Sequence, residues 1–182
     1  MRTLSDHILD IVQNSIKANA TLIEIIVEED KIKDLWLLKI VDNGCGMNEE
    51  TVRQASNPFF TSRNTRKVGL GLSLLKQNAE AANGSFNLES EEGKGTTVTA
   101  GFQLSNVDKP PLGDIWDTYY LTLLSYNTGV LQYSHKTEID EFSINSGEIR
   151  EMVGEVSLQQ KEIREGIIEL IKTNLEEIKA TK

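Results

Sequence analysis

An apolar run, LWLLKIV, leads directly into Asp42-Asn43-Gly44-Cys45-Gly46-Met47, and the segment after that is helical in character. A strand that ends in a carboxylate, with two glycines two positions apart behind it, constrains the fold more than any other feature of the chain. Asn-Gly is a strong hairpin signal when a second strand follows. Here the next residues, NEETVRQAS, read instead as a short helix capped by Asn48. Two readings stay open for the loop. It is a tight turn, or it is a place where a flat ligand lies against bare backbone while Asp42 accepts a hydrogen bond from an exocyclic amine.

The flanking segments supply the architecture. Ile8, Leu9, Ile11, Val12 and Ile16 form a helical stripe over 5–17, with Ser5 or Asp6 as its N-cap. The helix breaks near Asn19, and TLIEIIVEE then reads as a strand. After the short helix comes NPFFTSRNTRKVGLGL, a loop, and a further helix over 70–82 that stops at Asn83-Gly84. SFNLESEEGKGTTVTAGFQL alternates around Gly93 and Gly95 as a β-hairpin does. The order over 1–105 is α-β-β-α-loop-α-β-β.

NVDKPPLG, 106–113, holds two of the three prolines and is read as a linker. Residues 114–182 then form a small α+β extension. Its first helix, 114–124, has Trp116, Tyr119, Tyr120, Leu121 and Leu124 as a packing face. VLQYSHKTEIDEFSI is a strand pair. The last helix, 157–178, aligns Ile163, Ile167, Leu170, Ile171, Leu175 and Ile178, a stripe suited to packing within the chain or to a homodimer contact.

Charge and composition exclude several classes. A net charge of −9 argues against general affinity for nucleic acid or anionic lipid. No apolar run reaches the roughly 18–20 residues of a membrane-spanning helix. Asp6 and Asp10 interrupt what a signal peptide would keep apolar, so a cytoplasmic protein without membrane contact is expected. One cysteine and two histidines are too few for a Cys-rich zinc site, which leaves Mg²⁺ on oxygen ligands and phosphate as the metal to expect.

Four further segments carry chemistry. Asp10 and Asn14 stand four apart, on one face of the first helix. They read as a solvated edge or as groups aimed at a polar ligand. VGLGLSLLK is a glycine-rich entry to a helix, where free N–H groups attract phosphate. It is not a P-loop, since no GxxxxGK[ST] occurs, and Leu74 stands where a dinucleotide fingerprint needs its third glycine. Arg63, Arg66 and Lys67 put three cations before it in an acidic chain, as a solvated loop or as partners of a triphosphate. Thr96 and Thr97 follow a tight turn, either as an ordinary hairpin or as hydroxyls supporting Asp42.

Taken in order, DIVQNSIKANAT, DNGCGM, NPFFTSR, VGLGLSLLK and GKGTTV resemble the N, G1, F, G2 and G3 boxes of the GHKL superfamily, which includes DNA gyrase, the Hsp-type chaperones, histidine kinases and MutL. The resemblance covers 4–104. It implies a Bergerat-fold α/β (α+β) sandwich, a mixed β-sheet with helices on one face, that binds ATP and Mg²⁺. On that resemblance Asn14 is the Mg²⁺ ligand and Asp42 the adenine-amine acceptor. Gly44 and Gly46 shape the base pocket, Gly69 and Gly71 end the lid and meet the phosphates, and Thr96 supports Asp42. Met47, Phe59, Leu70 and Leu72 fall in the same boxes as further nucleotide contacts, with Arg63, Arg66 and Lys67 in the lid.

PFFTSR followed closely by GLGL is most similar to the histidine-kinase branch. The first box reads more like that of MutL, where a glutamate four residues before the asparagine is the general base; Asp10 holds that position here. Neither His7, followed by Ile8, nor His135 resembles a phospho-acceptor. The resemblance therefore implies a stand-alone form that acts on a separate, unidentified protein partner. It would transfer a phosphoryl group or hydrolyse ATP slowly, or else serve as a nucleotide-gated binding module.

Overall fold

The computed structural model describes residues 1–55 and 71–181. The chain order is α1 (Leu4–Lys17), β1 (Leu22–Asp30), β2 (Leu35–Asp42), α2 (Glu49–Ala55), α3 (Gly71–Ala81), β3 (Ser85–Glu91), β4 (Gly95–Gln103), α4 (Ile115–Ser125), β5 (Val130–Lys136), β6 (Glu141–Asn145), α5 (Ser146–Val153) and α6 (Lys161–Glu177). The strands form one mixed sheet in the order β3-β4-β2-β1-β5-β6. All pairs are antiparallel except β1 with β5, which run parallel with Leu22 opposite Val130.

Alternation along the strands explains the layering. On β1, Ile23, Ile25 and Val27 are buried while Leu22 and Glu28 are exposed, and β2 repeats the pattern with Trp36, Leu38 and Ile40 inward. Register places the inward residues of neighbouring strands side by side, so a single face takes the helices. Leu4, Ile8, Ile11 and Val12 of α1, Leu72 and Leu75 of α3, and Ile115, Tyr119 and Leu123 of α4 cover it. Trp36 and Phe102 meet edge to face at 5.8 Å, an arrangement worth about 0.5–1.5 kcal/mol beyond the area it buries.

The expected mixed sheet with helices is present, and most elements fall where periodicity placed them. Local chemistry moves some boundaries. The N-cap of α1 is Thr3, whose hydroxyl accepts from the Asp6 N–H while the Asp6 carboxylate accepts from the Thr3 N–H. Asp in place of Glu or Gln hides this capping box from pattern reading. Helix α5, unpredicted, is short and is started by Asn145, whose side chain accepts from the Gly147 and Glu148 N–H groups. On α6, Ile167, Ile171 and Leu175 are buried, with Ile178 just beyond its end, whereas Leu170 is exposed; on α4, Leu121 turns outward.

The segment after Gln103 is tied closely to the first helix. The Leu4 and Ser5 N–H groups donate to the Pro111 and Leu112 carbonyls, and the Ser5 hydroxyl donates to Leu112 O at 2.6 Å. Strands β5 and β6, from the region read as an extension, complete the same sheet as β1–β4. At its far end lies a buried polar chain: Tyr133 Oη to His135 Nδ1 at 2.8 Å, and His135 Nε2 to Glu29 Oε1 at 2.8 Å. Thr181 adds its N–H and hydroxyl to the same carboxylate oxygen. Burial alone would raise the Glu29 pKa, but the hydrogen bonds from His135 and Thr181 outweigh it and hold the carboxyl below its ordinary value.

Candidate nucleotide site

Asp42 ends β2 on the helix-facing side and is 8% exposed. Both carboxylate oxygens are held. Oδ2 accepts from the Ser15 hydroxyl at 2.6 Å, and Oδ1 accepts from the Gly44 N–H at 2.9 Å. A buried carboxylate fixed in this way keeps further lone pairs for an incoming donor and has no freedom to turn away from it. The hydroxyl of Tyr126, the residue that ends α4, donates to Ala20 O at 2.8 Å. Burial, and then the Asp42 charge, push its phenol pKa upward.

The glycines of the loop are required by close approaches. A Cβ at Gly44 would lie 2.8 Å from the Ala18 Cβ and 2.9 Å from its carbonyl oxygen, at the C-terminal end of α1. Gly46 adopts φ +65, and a Cβ there would lie 2.7 Å from the Glu91 carbonyl carbon. The loop is thus clamped between α1 and the β3–β4 turn. The Cys45 N–H donates to Ala18 O, and the Gly93 N–H donates to Cys45 O. Asn43 turns back instead, accepting from the Thr21 and Leu22 N–H groups and stabilising the start of β1. Cys45 is exposed and forms no disulfide.

Thr96 stands directly across from Asp42 in the β2–β4 register. Its hydroxyl meets Ser90 Oγ at 2.9 Å rather than Asp42. Ser90 also accepts from the Met47 N–H and donates to Gly95 O, so it fastens the loop to the hairpin. Ser15 and Ser90 are the organising residues that sequence reasoning missed. Ser15 follows Asn14 directly, and its place one turn beyond Ile11 was the available signal.

On α1, Asp10 and Asn14 are half-buried on the face that meets α3. The Asp10 carboxylate is pressed onto Gly71, the first residue of α3; a Cβ at Gly71 would lie 2.8 Å from Asp10 Cγ and closer to Oδ2. Oδ2 is buried without a hydrogen-bond partner among the described residues. Gly71 therefore belongs to the same cluster as Asp10, whereas Leu72 points into the core at 5% exposure. Phe59, Arg63, Arg66, Lys67, Gly69 and Leu70 lie outside the described residues.

These residues suit a nucleotide. A fixed carboxylate lies under a glycine loop, and an orphan carboxylate oxygen lies at the start of α3, where a helix N-terminus favours phosphate. Asn14 offers an amide oxygen, the hard donor that Mg²⁺ takes alongside phosphates and waters. Among the described residues no group of three or more His, Cys, Asp or Glu could cage a metal alone, and no helix is long and apolar enough to cross a membrane.

Comparison with known proteins extends this picture. Residues 2–106 match the family model described as histidine kinase-, DNA gyrase B-, and HSP90-like ATPase. A putative sensor protein of Shewanella frigidimarina is 35% identical over 107 residues, 58% of this chain and 16% of that protein. Sensor histidine kinase YvrG of Bacillus subtilis is 34% identical over 94 residues, 50% of this chain and 16% of that one. The chain thus spans about a sixth of the length of these curated relatives. A crystal structure of the N-terminal domain of a DNA repair protein shares the fold, with a TM-score of 0.52 at 17% identity, covering 79% of this chain and 52% of that one. That coverage exceeds the 2–106 match, so part of the C-terminal region also has a counterpart there.

Proposed function

Because the chain belongs to the histidine kinase-, DNA gyrase B-, and HSP90-like ATPase family over residues 2–106, we propose that it binds ATP with Mg²⁺ and acts on a protein partner by phosphoryl transfer or slow hydrolysis. The observation that carries this reading is Asp42, buried and fixed by Ser15 and Gly44 so that it can only accept from a donor such as the adenine amine. Gly44 and Gly46 let the loop seat against Ala18 and Glu91, which fixes the backbone beside that carboxylate. From there the nucleotide runs along α1, past Asn14 and Asp10, to the start of α3. Mg²⁺, held by Asn14, supplies charge neutralisation at the phosphates when bound. The acceptor of any transferred phosphoryl group belongs to the partner. The chain's two histidines, His7 and His135, are both fully buried and offer no exposed nucleophile.

A second reading is favoured by Asp10. Its Oδ2 is buried against Gly71 rather than open to a water. On this reading the chain is a nucleotide-gated binding module, in which ATP alters the surface offered to another protein and little hydrolysis occurs.

Titration with a non-hydrolysable ATP analogue tests what both readings share. Binding that disappears in Asp42→Ala supports them, and binding indifferent to that change overturns them. Phosphate release by the purified protein, abolished in Asp10→Asn, separates the catalytic reading from the gating one.

A further inference from the structure

Directly behind the proposed phosphate end sits a residue that the nucleotide reading leaves unused. His7 is fully buried on α1, three residues before Asp10 and seven before Asn14, so the three side chains share the face toward α3. Its Nε2 lies 2.9 Å from the Asn78 amide nitrogen on α3. An amide NH₂ only donates, so Nε2 accepts, and the neutral ring carries its proton on Nδ1. Nδ1 is buried with no partner of ordinary hydrogen-bond geometry among the described residues, but the Gly71 backbone stands close enough to hydrogen-bond the ring. Gly71 is also the residue against which Asp10 is pressed.

A buried imidazole with one nitrogen held only loosely is a costly way to fill an apolar interface. A leucine would pack between α1 and α3 without that cost. What a leucine lacks is polar contact with α3 at two places, Asn78 about two turns along the helix and the Gly71 backbone that Asp10 meets.

We propose that His7 is a positioning residue for the triphosphate, holding the first turn of α3 in fixed relation to Asp10 and Asn14. Backbone N–H groups at that turn then meet phosphate without having to be ordered first, and such preorganisation appears as affinity. The inference rests on the nucleotide reading above and adds a residue to its phosphate end.

Calorimetric titration of the full chain with a non-hydrolysable ATP analogue and, separately, with adenosine tests it. His7→Leu should weaken the analogue by about tenfold and leave adenosine within about twofold, because only the phosphates reach α3. His7→Gln, whose amide oxygen can accept from Asn78, should stay close to the unsubstituted protein with both ligands. Asn78→Leu, which removes the same link from the half-exposed side, should behave as His7→Leu and carries the test if that variant does not fold. Equal weakening of analogue and adenosine would mark a general packing role and overturn the proposal, as would no change with either. If the unsubstituted protein does not prefer the analogue to adenosine, the nucleotide reading itself fails, and the two failures remain distinguishable.

Discussion

Gly71→Ala tests the junction of Asp10 and α3 most directly. The added methyl would lie 2.8 Å from Asp10 Cγ, whereas carbon contacts relax to about 3.5 Å, so the carboxylate must withdraw by about 1 Å at its oxygens. Two effects oppose each other in stability. Alanine is a better helix residue than glycine by up to about 1 kcal/mol, and displacing the carboxylate costs a comparable amount. The melting temperature should therefore move by only a few degrees. Turnover should not be so forgiving. A 1 Å misplacement of a group that orients a reacting water costs about a hundredfold, or about 2.7 kcal/mol of activation free energy. Steady-state phosphate release, with ATP and Mg²⁺ saturating, reads this out beside Asp10→Asn. If Gly71→Ala hydrolyses ATP at the unsubstituted rate while Asp10→Asn does not, the position of Asp10 in this structure is not its working position, and the reasoning is refuted.

Other expectations follow from the same geometry. Ser15→Ala removes the donor to Asp42 Oδ2 and should lower unfolding free energy in denaturant by about 1.5–3 kcal/mol, the range for a hydrogen bond to a charged group. Gly95→Ala should abolish analogue binding: Gly95 has φ +105, and a Cβ there would lie 2.8 Å from Asn43 Cα, so backbone must move and the loop with it. The pKa of His7 is lowered by burial from 6.5. The unfolded chain therefore binds the proton first, and stability should fall as pH drops below about 6.5, a limb that His7→Gln should flatten in pH-dependent denaturation. Glu29 contributes in the opposite sense to its burial. Its lowered pKa adds stability above its ordinary value of 4.5, lost as pH falls through the folded value, and Glu29→Gln should remove that acid limb.

What the sequence revealed and what it hid divide along physical lines. Gly44 and Gly46 were legible because glycine marks places where a side chain cannot fit, and Asp42 because a carboxylate ending an apolar strand needs a reason. Ser15 and Ser90 were not legible. A hydroxyl on a helix stripe or an edge strand is ordinary until its partner, 27 positions away for Ser15 and Asp42, is known. Thr96 is expected from the sequence to support Asp42 from the start of a strand. The register sets the two residues opposite each other, yet the Thr96 hydroxyl meets Ser90, its cross-strand neighbour on β3. The strand pair after 130 was readable from alternation, but its place beside β1 was not, since parallel pairing leaves no turn in the sequence to announce it.

That parallel pairing has a consequence for how the protein is made. Leu22 finds its neighbour Val130 only 108 positions later. At about 5–20 residues per second, synthesis leaves β1 without that neighbour for roughly 5–20 s. Throughout that interval β1 is the open edge of any β1–β2 sheet already formed, with Ile23, Ile25 and Val27 on its inner face, and such an edge invites pairing with other nascent chains. The first hundred residues carry the nucleotide motifs but depend on the last third of the chain for their finished border. A shortened version ending near residue 106 should retain every family motif and still aggregate.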